Sequence, residues 1–263
     1  MRDRGLRFRT LVSESLEHGI EEALAAHEAG EMPVVMSGDG LIGQVGGALA
    51  RRGAVMGILP GGRGNDLARV LEIPGEVEGA LDVIARGDER EIDVGEVNGR
   101  RFLGIASMGF DSEANRIANE ARMIRGNLVY AYAALRALAA WKPAAFTVTV
   151  DGKVTEFEGY AVAAANSRAF GGGMFIAPDA ELDDGRLDVV LTGRTRKLHF
   201  LANLPKVFKG THVENDEVTV VRGSEVEVSA DRDFEVYADG EHLSDLPAKI
   251  RVLPGALRVI APR

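Results

Sequence analysis

Aspartates held inside glycine-rich turns are the residues of this chain whose type and spacing could do chemistry. Asp39 stands between two glycines in Ser37-Gly38-Asp39-Gly40, and Asp66 ends the run Pro60-Gly61-Gly62-Arg63-Gly64-Asn65-Asp66. Each turn follows a short β-type run, residues 34–36 and 55–59, and leads into a helical pattern. Strand, loop and helix are thus written twice. In an open parallel sheet such loops converge at the carboxyl ends of neighbouring strands, where ligands bind. Glycine lets the backbone approach phosphate oxygens, and helix N-termini favour anions. Tight turning alone also explains two glycine-rich loops, and a helix N-cap explains Asp66. It explains Asp39 less well, because Gly40 intervenes before the helix. A carboxylate beside a phosphate site calls for a cation, commonly Mg²⁺.

Two further acidic turns lie downstream, Asp183-Asp184-Gly185 and Asp239-Gly240-Glu241. By composition each is first a turn, since aspartate bonds its own backbone there. His18 and His27 lie nine apart on one helical pattern with no second ligand four residues from either, which reads as solvated rather than metal-bound.

The elements that must position these residues fall into two groups. A helix capped at Thr10 or Ser13 runs to Gly30, after a strand tail at residues 7–9. The two strand–loop–helix units follow, then a helix over residues 77–85 closing at Gly87. Residues 90–98 and 101–106 read as paired strands. Beyond them the spacing gives helices over 111–124, 128–140 and 198–208. Strands are expected over 146–150, 156–166, 187–191, 217–221, 225–229, 234–238, 250–253 and 257–260. The expected fold is an α/β nucleotide-binding domain with a parallel, NAD-kinase-like sheet over residues 1–93. An antiparallel β-sandwich-like domain with helices follows over 94–250, and residues 251–263 are open to returning to the first domain.

With 263 residues, 46% apolar and 27% charged, the chain suits one large or two ordinary globular domains. It has no cysteine, hence no disulfide, thiolate metal site or thiol nucleophile, and a reducing cytoplasm is compatible. No run of eighteen apolar residues spans a membrane, and residues 1–9 lack the apolar core of a secretory signal. The net charge of −9 argues against a nucleic-acid partner.

Taken in order, Ser37-Gly-Asp-Gly40, Pro60-Gly-Gly-Arg-Gly-Asn-Asp66-Leu-Ala-Arg69 and Ile73-Pro74 resemble the catalytic domain of the diacylglycerol kinase superfamily, which includes soluble bacterial and YegS-type lipid kinases. The resemblance spans nearly the whole chain, residues 10–262. It implies an ATP- and Mg²⁺-dependent transfer of the γ-phosphoryl group to a lipid hydroxyl, most simply that of diacylglycerol. It assigns Glu241 as general base, since an alcohol needs a proton acceptor as it attacks. It assigns nucleotide contacts to Thr10, to Gly38, Asp39, Gly40, Leu41, Ile42, Gly43 and Gln44, and to Arg63, Asn65 and Asp66. It places Mg²⁺ on the Asp184 carboxylate with the carbonyls of Glu181 and Arg186. Asp39, Asp66 and Asp93 then join Asp184 in a water–aspartate–Mg²⁺ network.

Departures from the family pattern are specific. Leu41 replaces a threonine, so a phosphate-binding hydroxyl is lost, whereas Arg63 replaces another and offers a planar fork to phosphate. The family pattern opens with a strand ending in Asn-Pro, and this chain starts at what corresponds to the second strand. An edge strand is therefore expected to be missing. Basic residues cluster at Arg116, Arg122, Arg125, Arg136 and Lys142, and at Arg194, Arg196, Lys197, Lys206 and Lys209 beside Leu198, Phe200, Leu201 and Phe208. Such a stretch suits peripheral contact with anionic lipid at the inner membrane face, or equally a solvated helix face. A homodimer is compatible with the reading. Two rivals remain open: a kinase acting on phosphatidylglycerol, a sphingoid base or NAD, and a nucleotide-binding regulatory module without transfer activity.

Overall fold

The structure is a computed structural model that describes residues 4–120 and 128–262. Its first helix, α1 (Leu16–Glu28), is capped by Ser15, whose hydroxyl accepts from the His18 amide, a little later than the expected caps. The strand tail expected at residues 7–9 is irregular instead. It pairs with no strand among the described residues, and Phe8, Leu11 and Val12 stay exposed. β1 (Val34–Ser37) and β2 (Val55–Pro60) pair in parallel, joined by α2 (Asp39–Leu49). The small residues of α2 permit its close approach: a Cβ on Gly46 would lie 2.5 Å from the Leu103 side chain. α3 (Asp66–Val70) and α4 (Val77–Arg86) complete this part, and α4 stops at Gly87 with φ 71°.

β3 (Glu89–Val97) pairs with β4 (Arg100–Phe102). The strand expected over 101–106 breaks at Leu103-Gly104, and β5 (Ile105–Gly109) turns to other partners. The break has a cause: the Leu103 and Gly104 N–H groups donate to the Asp239 carboxylate rather than to a ladder. Helix α5 (Phe110–Glu120) and α6 (Leu128–Ala140) follow. The remainder of the helix expected over 111–124, with Arg122 and Arg125, lies outside the described residues, as do residues 1–3 of the basic amino terminus.

The rest of the chain is mostly antiparallel. β6 (Ala144–Val150) and β7 (Lys153–Ala165) form a hairpin at Asp151-Gly152, both with positive φ. β8 (Leu187–Gly193), α7 (Lys197–Val207), β9 (Val218–Gly223), β10 (Glu225–Ala230), β11 (Glu235–Ala238) and β12 (Glu241–Asp245) lead to the long β13 (Ala248–Ile260). β12 escapes the periodicity because only Leu243 of its five residues is buried. The two short strands expected at 250–253 and 257–260 are one strand with a bulge at Pro254-Gly255.

Strand order is β1-β2-β13-β10-β6-β7-β5-β11-β12, with β3 on β13 and β4, and β8 on β7 and β9. Among these, β1–β2 and β2–β13 are parallel and the other pairings antiparallel. An α/β unit is thus followed by a β-sandwich-like unit. Ile42, Leu49, Met56, Ile58 and Ile92 fill the core of the first, and Phe102, Met108, Phe146, Val162 and Leu187 that of the second. Full burial of such a side chain stabilises by roughly 1.5–3 kcal/mol. No described helix is long and apolar enough to cross a membrane.

Candidate active site

The two glycine loops at the carboxyl ends of β1 and β2 meet backbone to backbone, because Gly62 has no side chain to keep it from Gly38. Asn65 shapes the second loop. It caps α3 in the left-handed region with φ 52°, accepts from the Gly62 N–H at 2.8 Å and donates to the Gly62 carbonyl at 3.1 Å. Asn65, and not Asp66, is therefore the cap, and its amide is spent on the loop itself. The Asp39 carboxylate accepts from the Leu67 N–H at 3.1 Å and so ties α2 to the start of α3. Asp66 reaches the other half of the chain, accepting from the Gly172 and Gly173 N–H groups at 2.7 Å each. Burial raises the Asp66 carboxyl above the ordinary carboxylate range, and neighbouring Asp39 adds to the rise. The two carboxylates face each other across Gly64, where a Cβ would lie 2.9 Å from an oxygen of each.

Opposite them is the β11–β12 hairpin. Its two-residue turn, Asp239-Gly240, has φ 53° and 86°, the geometry an Asp-Gly hairpin turn adopts. Glu241 is the first residue after the turn, and a Cβ on Gly40 would lie 2.9 Å from Glu241 Oε1. Asp239 is half-buried as a residue, but its carboxyl group points inward. Desolvation, with Asp39 and Asp66 nearby, pushes that carboxyl up to about 7.

One crevice is lined by Asp39, Arg63, Asp66, Leu103, Asp239 and Glu241 among others. Four acids face one arginine there. An open groove at the start of α1, lined by Ser13, Ser15, Ser37, Gly38, Leu41 and Glu241, adjoins it. Glu241 and Gly40 belong to both. Of the residues expected to touch nucleotide, Gly38, Asp39, Gly40, Leu41, Gly43, Arg63 and Asp66 line one or both cavities. Ile42 sits in the core at 1% exposure, Gln44 is half-buried with its side-chain nitrogen unpartnered, and Thr10 is exposed away from either lining.

The residues expected to hold metal gather elsewhere. Asp93 on β3 is buried and accepts from the Gly185 N–H at 2.6 Å and the Gly255 N–H at 2.7 Å. Its carboxyl is raised chiefly by burial, with Asp184 and Asp183 adding repulsion. The Asp184 carboxylate accepts from the Arg186 N–H at 2.9 Å and from Arg222 at 3.1 Å, while Arg222 also bonds Asp188 and the Asp179 carbonyl. None of Asp93, Glu181, Asp184 and Arg186 lines the crevice, so the acids form two clusters. Asn166, fully buried, joins them: its side-chain nitrogen donates to the Asp93 carbonyl at 3.0 Å and the Leu103 carbonyl at 2.9 Å. The chemistry of both clusters fits Mg²⁺, being hard oxygen donors in acid excess. No three acidic or histidine side chains among the described residues form a ready-made cage. Such an ion would keep water or phosphate ligands.

Sequence reasoning read Asp239 only as a turn residue and gave no role to the Leu103-Gly104 segment, the Gly171-Gly172-Gly173 loop or Arg222. The triple glycine was a signal for close backbone approach, and Asp-Gly for a hairpin turn.

Comparison with known proteins matches residues 1–97 to the diacylglycerol kinase catalytic domain. Residues 104–261 match the YegS C-terminal NAD kinase beta sandwich-like domain. A diacylglycerol kinase of Mycobacterium tuberculosis strain H37Rv is 36% identical over 255 residues, covering 94% of this chain and 82% of the relative. A diacylglycerol kinase of Staphylococcus aureus strain Newman is 26% identical over 246 residues, covering 92% and 78%. A crystal structure from Bacillus anthracis strain Sterne superposes with TM-score 0.81 at 25% identity, covering 95% of this chain and 84% of that one. Another from the same strain, of a diacylglycerol kinase, shares the fold with TM-score 0.74 at 20% identity.

Proposed function

The chain belongs to the diacylglycerol kinase family, and from that premise we propose that it passes the γ-phosphoryl group of ATP to the free hydroxyl of diacylglycerol, making phosphatidic acid. Lipid kinase chemistry comes with the family. The observation that carries the residue assignment is the place of Glu241. A carboxylate from the carboxyl-terminal half stands against Gly40 of the first glycine loop, on the wall shared by the crevice and the groove.

In this reading the acceptor hydroxyl lies within reach of Glu241, which takes its proton as the new O–P bond forms and the bond from the γ-phosphorus to the β–γ bridging oxygen breaks, releasing ADP. The glycine loops hold phosphate by backbone approach, and α2 offers N–H groups that no side chain caps. Arg63 adds a planar cation to the crevice. Mg²⁺, when bound, supplies neutralisation of the triphosphate. Asp39 and Asp66 would share the one near the phosphates. Asp184, with the Glu181 and Arg186 carbonyls, would hold one on the loop behind Asp93.

The boundary belongs to the same proposal: residues 1–93 with 251–263 form the nucleotide unit, and 94–250 the lipid unit. The parallel register of Arg258 and Val259 on Val55 and Met56 supports the return. Peripheral contact with the inner membrane face is assigned to α7 and its flanks. Leu198 at 82% and Phe208 at 53% exposure stand there among Arg194, Arg196, Lys197, Lys206 and Lys209.

Incubation with labelled ATP, Mg²⁺ and separate acceptors tests the assignment, with products identified by mass spectrometry. Label should enter phosphatidic acid in diacylglycerol micelles. Label preferentially in phosphatidylglycerol, a sphingoid base or NAD would replace the acceptor. ATP binding without transfer to any of them would leave a nucleotide-binding module.

A further inference from the structure

We propose that Asp239 is a positioning residue that holds the β11–β12 turn, and with it Glu241, against the segment joining β4 to β5; this rests on the reading of Glu241 as the proton acceptor. Glu241 needs such a device. Among the described residues its carboxylate makes no hydrogen bond or ion pair, so its aim depends on where the backbone puts it. β12, which carries it, pairs only with β11 among the described residues.

The Asp239 carboxylate supplies the missing restraint. Its two oxygens accept separately, one from the Leu103 N–H and the other from the Gly104 N–H, each at 2.8 Å. That segment is itself anchored. The Gly104 carbonyl accepts from the N–H groups of Asn166 and Ser167, and the Leu103 carbonyl accepts from the Asn166 side chain. Space for the carboxylate is made by one glycine on that segment and one on α2. A Cβ on Gly104 would lie 2.5 Å from Asp239 Oδ1, and a Cβ on Gly43 of α2 would collide with Oδ2. The β4–β5 segment and α2 therefore close on one side chain two residues before Glu241.

Turn chemistry alone does not require this. Asn-Gly serves a two-residue hairpin turn as well as Asp-Gly. Asn at this position keeps one carbonyl acceptor but turns an NH₂ donor toward the other N–H group. Asp239→Asn thus separates the clasp from the turn.

The experiment measures kcat, KM for ATP, KM for diacylglycerol and the thermal midpoint for the parent, Asp239→Asn, Glu241→Gln and the double variant. Asp239→Asn is expected to lower kcat by roughly tenfold or more, with KM for ATP within about twofold and a cooperative thermal transition retained. The double variant should be no slower than Glu241→Gln alone, because Asp239 acts through Glu241. A full kcat in Asp239→Asn, or a double variant slower by the product of the two single losses, would overturn the proposal. If Glu241→Gln itself matches the parent, the base assignment fails instead, which separates the two claims. Gly104→Ala displaces the same carboxylate from the other side and should give the same kcat loss and the same lack of additivity. It decides the matter if Asp239→Asn does not fold.

Discussion

At the scale of single residues, four carboxylates in one crevice carry different tasks because their neighbours differ. Asp39 ties one helix to the next, Asp66 holds a triple-glycine loop, and Asp239 receives two backbone N–H groups. Of the four, Glu241 alone makes no hydrogen bond or ion pair among the described residues. Asp239, with its carboxyl pushed up to about 7, has a folded-state value above its unfolded one. The folded state then binds a proton that the unfolded state releases between about pH 4 and 7. The contribution of Asp239 to stability therefore rises as pH falls through 7. Denaturation at pH 5.5 and 8 should show a smaller gain on acidification for Asp239→Asn than for the parent; equal gains would contradict this. Asp93 makes a second case. Asp93→Ala leaves the Gly185 and Gly255 N–H groups without their acceptor, at about 1–3 kcal/mol for each left buried. A lower urea midpoint is expected, and an unchanged one would show that water replaces the carboxylate. Asp39 and Asp66 were legible as candidates because each is an acid in a glycine-rich turn after a strand-like run, and Glu241 only through the family resemblance. Asp239 was not, since aspartate before glycine reads as turn chemistry and only the fold shows where its carboxylate goes.

At the scale of elements, the strand–loop–helix units were readable from periodicity, and the misses have local causes. β12 is an edge strand with one buried side chain, so no alternation marks it. β13 looked like two strands because Pro254-Gly255 interrupts the apolar pattern while the strand carries on. The break at Leu103-Gly104 could not be read, because the partner that causes it lies far along the chain. α7 raises a prediction at this scale. It buries no residue fully, and Leu198 projects between basic neighbours. Leu198→Asp should reduce co-sedimentation with phosphatidylglycerol vesicles by about tenfold or more at low salt, through lost apolar insertion and added repulsion, and leave transfer to a short-chain soluble diacylglycerol near the parent rate. Undiminished sedimentation would make this helix an ordinary solvated face.

At the scale of the whole molecule, β13 runs parallel to β2 and antiparallel to β3 and β10. One strand thereby belongs to both units, and Asp66 of the first accepts from the Gly172 and Gly173 N–H groups of the second. Calorimetry should show one cooperative unfolding transition. Two separated transitions would mean that the halves are held together only weakly. The same coupling brings the glycine loops and Glu241 to one crevice, and that convergence is the centre of the account. Its most direct test is the initial rate of label transfer from ATP to diacylglycerol in mixed micelles, parent against Glu241→Gln, with ATP affinity measured alongside. A rate lower by about 100-fold or more with ATP affinity kept is the expected result. A Glu241→Gln variant that phosphorylates diacylglycerol as fast as the parent would contradict it.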